Sequence, residues 1–295
     1  MKPSIITIAI ILLASCSGKE NPYDATGTFE AVETIVPAEV AGTIQVFNVS
    51  EGVSIAKGAT VGYIDSIQLY LKKKQVLAQI RSVLSKRPDV ATQLAALEEQ
   101  LRQAEKEMQR IARLLKSDAA TQKQYDDAST QVKIIERQID AQTSTLGIAT
   151  ASLTEETLPL RVQIEQLNDQ LSKCRIVNPV AGTVLTKYAE AYEMTAVGKP
   201  LYKIADLSTI ILRAYVTGEQ LPGLKLGQPV TVLTDQPDDA YKEYPGTVTW
   251  ISDKAEFTPK TIQTKDERAN LVYAVKISVK NDGQLKIGMY GEVKL

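Results

Sequence analysis

Residues 40–43 read VAGT, and residues 180–183 read VAGT again. Downstream of the two copies the register holds without a gap, so that Gly58 answers Gly198, Val61 answers Leu201 and Ile64 answers Ile204. Each half is rich in β-branched residues and carries glycines (Gly42, Gly52 and Gly58; Gly182 and Gly198) where short strands need turns. A long, polar, heptad-patterned stretch separates them. The order reads as one β domain cut open to hold a helical hairpin: an α+β, multi-domain chain with a first half at 35–66, a hairpin at 67–175 and a second half at 176–206. Such an architecture transmits reach rather than chemistry.

The hairpin carries the clearest periodicity. Val90, Leu94, Leu97, Leu101, Ala104, Met108, Ile111 and Leu115 alternate steps of four and three, the a/d seam of a coiled coil. Tyr125, Ala128, Val132, Ile135, Ile139, Gln142, Leu146, Ala149 and Leu153 continue the alternation on the way back. Two narrow seams imply two antiparallel helices, joined through Ser117, Asp118, Ala119 and Ala120, with Thr121 placed to cap the second arm. Pro88 interrupts one arm and Pro159 the other, and after Pro159 the seam resumes at Leu160, Ile164, Leu167 and Leu171 in a shifted phase. Proline removes a helical hydrogen bond and clashes with the preceding turn, so kinks or short breaks are predicted at both places. The distal arms would project about 40 Å.

From Leu207 onward the pattern turns to strands. Runs at 211–216, 229–233, 247–251, 271–279 and 291–295 are β-branched and aromatic, separated by Gly, Pro, Asp and Asn. They predict a small antiparallel β-barrel at 207–295, closed by an N-terminal strand within residues 17–34.

Composition excludes most chemistry. Lys and Arg total 34 and Asp and Glu 35, a formal net charge of −1 that offers no global attraction for nucleic acid. The chain has no histidine, which removes the commonest general base and metal ligand. There is no G-x-S-x-G elbow and no Walker glycine loop, so no enzyme activity is expected and any transport energy must come from another polypeptide. Of the two cysteines, Cys174 ends a helical pattern and reads as a small buried hydrophobe. The other, Cys16, follows a short apolar run at 5–13 and the small residues Ala14 and Ser15. That arrangement resembles a bacterial lipoprotein processing site, with residues 1–16 the signal peptide and its lipidated Cys. It implies a chain held in the periplasm by acyl chains, at the inner membrane.

Near the hairpin tip, Arg110, Leu114 and Thr121 have the spacing R-x3-L-x6-[S/T]. Arg110 and Leu114 fall one turn apart, off the seam. The spacing resembles the tip motif by which periplasmic adaptors of the HlyD, or membrane fusion protein, family meet a TolC-like outer-membrane channel. Family members usually carry Ser at the third position; Thr121 keeps the hydroxyl and adds a methyl. The β halves resemble the two halves of a biotinyl/lipoyl domain. In carrier enzymes a lysine between such halves bears the cofactor, whereas here the helical insertion takes its place, and Lys72, Lys73 and Lys74 at its start read as a solvated face, so no cofactor is expected. The run FTPKTIQTKDERANLVYAVKI at 257–277 resembles a stretch frequent in adaptors serving ABC-type systems.

These likenesses span almost the whole chain beyond residue 16. They imply an adaptor linking an inner-membrane ABC transporter to a TolC-like outer-membrane channel for export of small molecules, as a ring of six copies. An adaptor of a proton-driven (RND-type) pump, a carrier-protein subunit and a purely structural envelope lipoprotein are the alternatives at this level.

Overall fold

The structure, a computed structural model, describes residues 23–237, 240–257 and 271–295. Cys16 and most of the run at 257–277 lie outside the described residues.

The interrupted β domain is built by exchange. The first half supplies β2 (Glu33–Pro37), β3 (Gly42–Phe47), β4 (Ser54–Ile55) and β5 (Thr60–Ile64); the second supplies β6 (Arg175–Val177), β7 (Gly182–Lys187), β8 (Met194–Thr195) and β9 (Pro200–Ala205). One sheet runs β2-β9-β7-β4 and the other β6-β5-β3-β8. Each sheet therefore has a central pair from one half and outer strands from the other. The cross-half hydrogen bonds repeat symmetrically: Gly52 N–H donates to Val184 O and Tyr192 N–H to Ile44 O, while Gly58 N–H donates to Asn178 O and Gly198 N–H to Ala38 O. The VAGT glycines sit where backbones nearly touch. A Cβ at Gly182 would lie 2.4 Å from Ala205 O, and one at Gly42 would lie 2.9 Å from a methyl of Ile64. Ile44, Val61, Ile64, Val184, Leu201 and Ile204 fill the shared core.

The inserted segment forms α1 (Ile67–Leu84), α2 (Val90–Lys116) and α3 (Gln122–Lys173). Asp89 caps α2 by accepting from Thr92 N–H, and the break before it holds Pro88, where the sequence predicts one. All eight seam positions of α2 are buried or half-buried. On α3 the short break allowed at Pro159 does not occur, and one seam position is misplaced. Pro159 lies inside one continuous helix of 52 residues, neither breaking it nor marking the phase change. Its ring points to solvent on an exposed position, where water can take the carbonyl it leaves unpaired. Ala149 is exposed, and the seam passes from Leu146 to Thr150 by a second consecutive step of four before continuing through Leu153, Thr157, Leu160, Ile164, Leu167 and Leu171. This slip is a stutter, and it falls where α3 exchanges its partner from α2 to α1. The α1 side of that second seam includes the buried Val76 and Ile80.

The third unit is a closed barrel of order β1-β10-β13-β12-β11-β14, with β1 (Ala25–Glu30), β10 (Thr209–Thr217), β11 (Pro229–Asp235), β12 (Tyr241–Phe257), β13 (Leu271–Lys280) and β14 (Tyr290–Lys294). The first strand does close it, between β10 and β14, and Phe29 from that strand is 1% exposed in a core with Leu212, Val232, Ile277 and Val293. Alternate burial along β10 follows the pleat, while along β13 the alternation changes phase at the adjacent buried Ala274 and Val275. Residues 33 and 34, grouped with the barrel strand by the sequence, pair instead with Ala205 and Ile204 of the split domain.

Candidate functional site

The tip of the hairpin holds all three motif residues within the last turns of α2 and the first of α3. Leu115 faces α3, which turns Leu114 outward at 36% exposure. Its backbone is fixed: the Leu114 carbonyl accepts from Ser117 Oγ at 3.0 Å and from the N–H groups of Ser117 and Ala119. Asp118 makes the reversal at a φ of 57°, the left-handed region that Asp tolerates because its short side chain bonds locally. The turn thus ties down the backbone of Leu114, whose apolar side chain is partly exposed.

Arg110 lies one turn back from Leu114. It forms a two-point contact with Glu107, Nε to Oε2 at 2.9 Å and Nη2 to Oε1 at 2.6 Å. The guanidinium's hydrogen bond holds the Glu107 carboxyl below its ordinary value and the carboxylate raises that of Arg110. Both side chains stay open to water, so the pair orients the arginine more than it stabilises the helix. Thr121 performs the local task its sequence position implies. Its side chain accepts from Gln124 N–H while the Gln124 side chain accepts from Thr121 N–H, a complete capping box. Threonine keeps the hydroxyl that satisfies the helix start.

At the other end of the hairpin, Lys73 is half-buried along the α1 seam and Lys74 lies over the Tyr70 ring at 5.8 Å from its centroid, while Lys72 is exposed. Cys174 is fully buried, and burial pushes its thiol pKa up. Among the described residues no cluster of three Cys, Asp or Glu is placed to hold a metal ion, and no helix is long and apolar enough to cross a membrane.

Sequence reasoning missed two polar contacts. Asn178 is fully buried and ties both halves of the split domain: its Nδ2 donates to the carbonyls of Ile55, Ala56 and Val180, and its Oδ1 accepts from the Tyr202 hydroxyl at 3.0 Å. Its signal was available, because Asn178 and Tyr202 stand where the first half has Ala38 and Gly62. The second is Arg87, in the α1–α2 break, whose Nη2 donates to Thr154 Oγ1 of α3 at 2.8 Å. No periodicity marks it.

No family model matches the chain. A UPF0194 membrane protein of Yersinia pseudotuberculosis is 28% identical over 277 residues, covering 85% of this chain and 82% of the relative. The UPF0194 membrane protein YbhG of Salmonella gallinarum is 34% identical over 125 residues, 42% of this chain and 37% of its own. Among solved structures, MacA from Actinobacillus actinomycetemcomitans aligns with a TM-score of 0.53 at 21% identity, over 91% of this chain and 76% of that one. A chimera of MacA carrying the α-hairpin of Pseudomonas aeruginosa MexA aligns at 0.51 and 21%, over 91% and 78%. At these identities the likeness shows the fold alone, and this chain shares the fold of MacA.

Proposed function

We propose that this chain is the adaptor subunit of a tripartite efflux or secretion system, linking an inner-membrane ABC transporter to a TolC-like outer-membrane channel. In this reading six copies form a ring, each held to the inner membrane through lipidated Cys16. The hairpin projects to the channel, and the barrel with its N-terminal strand faces the transporter. The observation that carries the proposal is the outward Leu114, its backbone fixed by the turn at the end of a two-helix arm and flanked by Arg110. An apolar side chain left partly exposed at the furthest point of an extended arm serves contact with another protein better than it serves the fold.

Two substitutions separate contact from stability. Leu114→Ala is expected to leave thermal stability within about 0.5 kcal/mol, as for an exposed position, while reducing channel copurification and efflux. Leu94→Ala, at 8% exposure in the seam, is expected to cost about 2 to 4 kcal/mol and to lower efflux through loss of folded protein. Full efflux by a normally folded Leu114→Ala protein would overturn the tip as the contact.

A further inference from the structure

One level of the hairpin gathers several departures from a regular coiled coil. The outgoing arm is interrupted between Leu84 and Val90, so no helical hydrogen-bond ladder crosses residues 85–89. Opposite, the α3 seam slips between Leu146 and Thr150. Thr150, Thr154 and Thr157 turn their hydroxyls onto the carbonyls of Leu146, Thr150 and Thr154, a back-bonding that weakens and bends helices. Pro159 then deprives the Glu155 carbonyl of its partner. Arg87, inside the break, reaches across to Thr154.

Each feature alone is tolerated in long helices. Their coincidence is mechanical: where one arm has no continuous helix, bending resistance falls on α3, and although Thr130 and Thr145 make the same back-bond further out, three such threonines and a proline crowd into α3 over these turns. We propose that this level is a hinge on which the distal arm (α2 with residues 122–146) bends relative to the base (α1 with residues 150–173), and that the Arg87–Thr154 hydrogen bond is its latch. Because the distal arm is about 40 Å long at the helical rise, a bend of about 10° would displace the tip by roughly 7 Å. The tip could then follow a moving partner while both β units stay in place, a use that rests on the adaptor reading; the hinge itself does not.

The test is a distance distribution in the full chain by pulsed electron resonance. Nitroxides coupled to ketone-bearing residues at positions 72 and 103 report base against distal arm, and at positions 106 and 138 report within the distal arm. Arg87→Ala is expected to broaden the first distribution by at least half. Pro88→Ala combined with Pro159→Ala is expected to narrow it, and the second distribution should stay constant throughout, with circular dichroism confirming intact helices. Should the double variant misfold, Arg87→Ala against the unsubstituted chain decides alone. Equal first distributions overturn the proposal, and so does a second distribution that broadens with the first, since that would mean the arms separate instead of bending together. Unimpaired efflux by variants whose distributions change as expected would bear on the adaptor reading without touching the hinge.

Discussion

The two halves of the split β domain have matching backbones and different interiors. Strand for strand they pair alike, and even the bulges correspond, between Ile44 and Val46 in one and Val184 and Thr186 in the other. Yet at the equivalent interior points the first half has Ala38 and Gly62 while the second has Asn178 and Tyr202. Gly62 has no room for more: a Cβ there would lie 2.5 Å from Val46 O. Tyr202 has no exposure and its ring packs 6.1 Å from that of Phe47. The difference teaches that backbone symmetry fixes the pairing, whereas one buried polar anchor tells the two halves apart.

Asn178→Ala tests that distinction most severely. It removes the buried partner of the Tyr202 hydroxyl and the donor shared by the carbonyls of Ile55, Ala56 and Val180, and is expected to lower stability by about 3 kcal/mol, read by calorimetry. A loss under about 1 kcal/mol would make the anchor dispensable and the comparison empty. Tyr202→Phe keeps the ring and removes one hydrogen bond, an expected loss of about 1 kcal/mol at neutral pH. Burial pushes the Tyr202 hydroxyl up to about 12 from 10.0. Since the folded state holds that proton more tightly than the unfolded one, stability should fall as pH rises from the unfolded value through the folded one. The phenylalanine variant should lack this particular alkaline decline, and melting curves across that window would show it. The smallest effect concerns the turn where Gly52 is answered by Tyr192, which holds a φ of 72° at 79% exposure. Tyr192→Gly should relieve the left-handed backbone and raise stability by about 0.5 kcal/mol after the extra freedom of glycine in the unfolded chain is counted.

Repetition and period were legible in the sequence because both are local. The VAGT pair announced two equivalent halves, and steps of four and three placed the seam of α2 correctly throughout. What the residues did not disclose is which strand pairs with which: β2 and β6 are edge strands of sheets whose central pairs come from the opposite half, a matter of long-range pairing with no local trace. Pro159 misled because its removal of one hydrogen bond was weighed without its exposure. Ala149 misled because a regular heptad was extended across a change of partner, where Thr150 faces the bundle instead. The tip was legible in its spacing, and Thr121 as a cap, but Glu107 as the partner of Arg110 and the fixing of Leu114 by Ser117 emerge only in three dimensions.

The exchanged strands also dictate an order of events as the chain folds. Neither sheet can be completed until both halves are at hand, so the first half must wait for its partner strands across the whole insertion. Closing so long a loop at random would be slow, because its entropy must be lost before any strand contact compensates. The helices need no such wait, since their contacts are between neighbouring turns and then across one tight reversal. By zipping from the tip, the hairpin delivers Cys174 next to Ile64, whose N–H donates to the Cys174 carbonyl at 2.8 Å. The arm that reaches outward in the finished molecule is thus also the template that brings its two β halves within pairing distance.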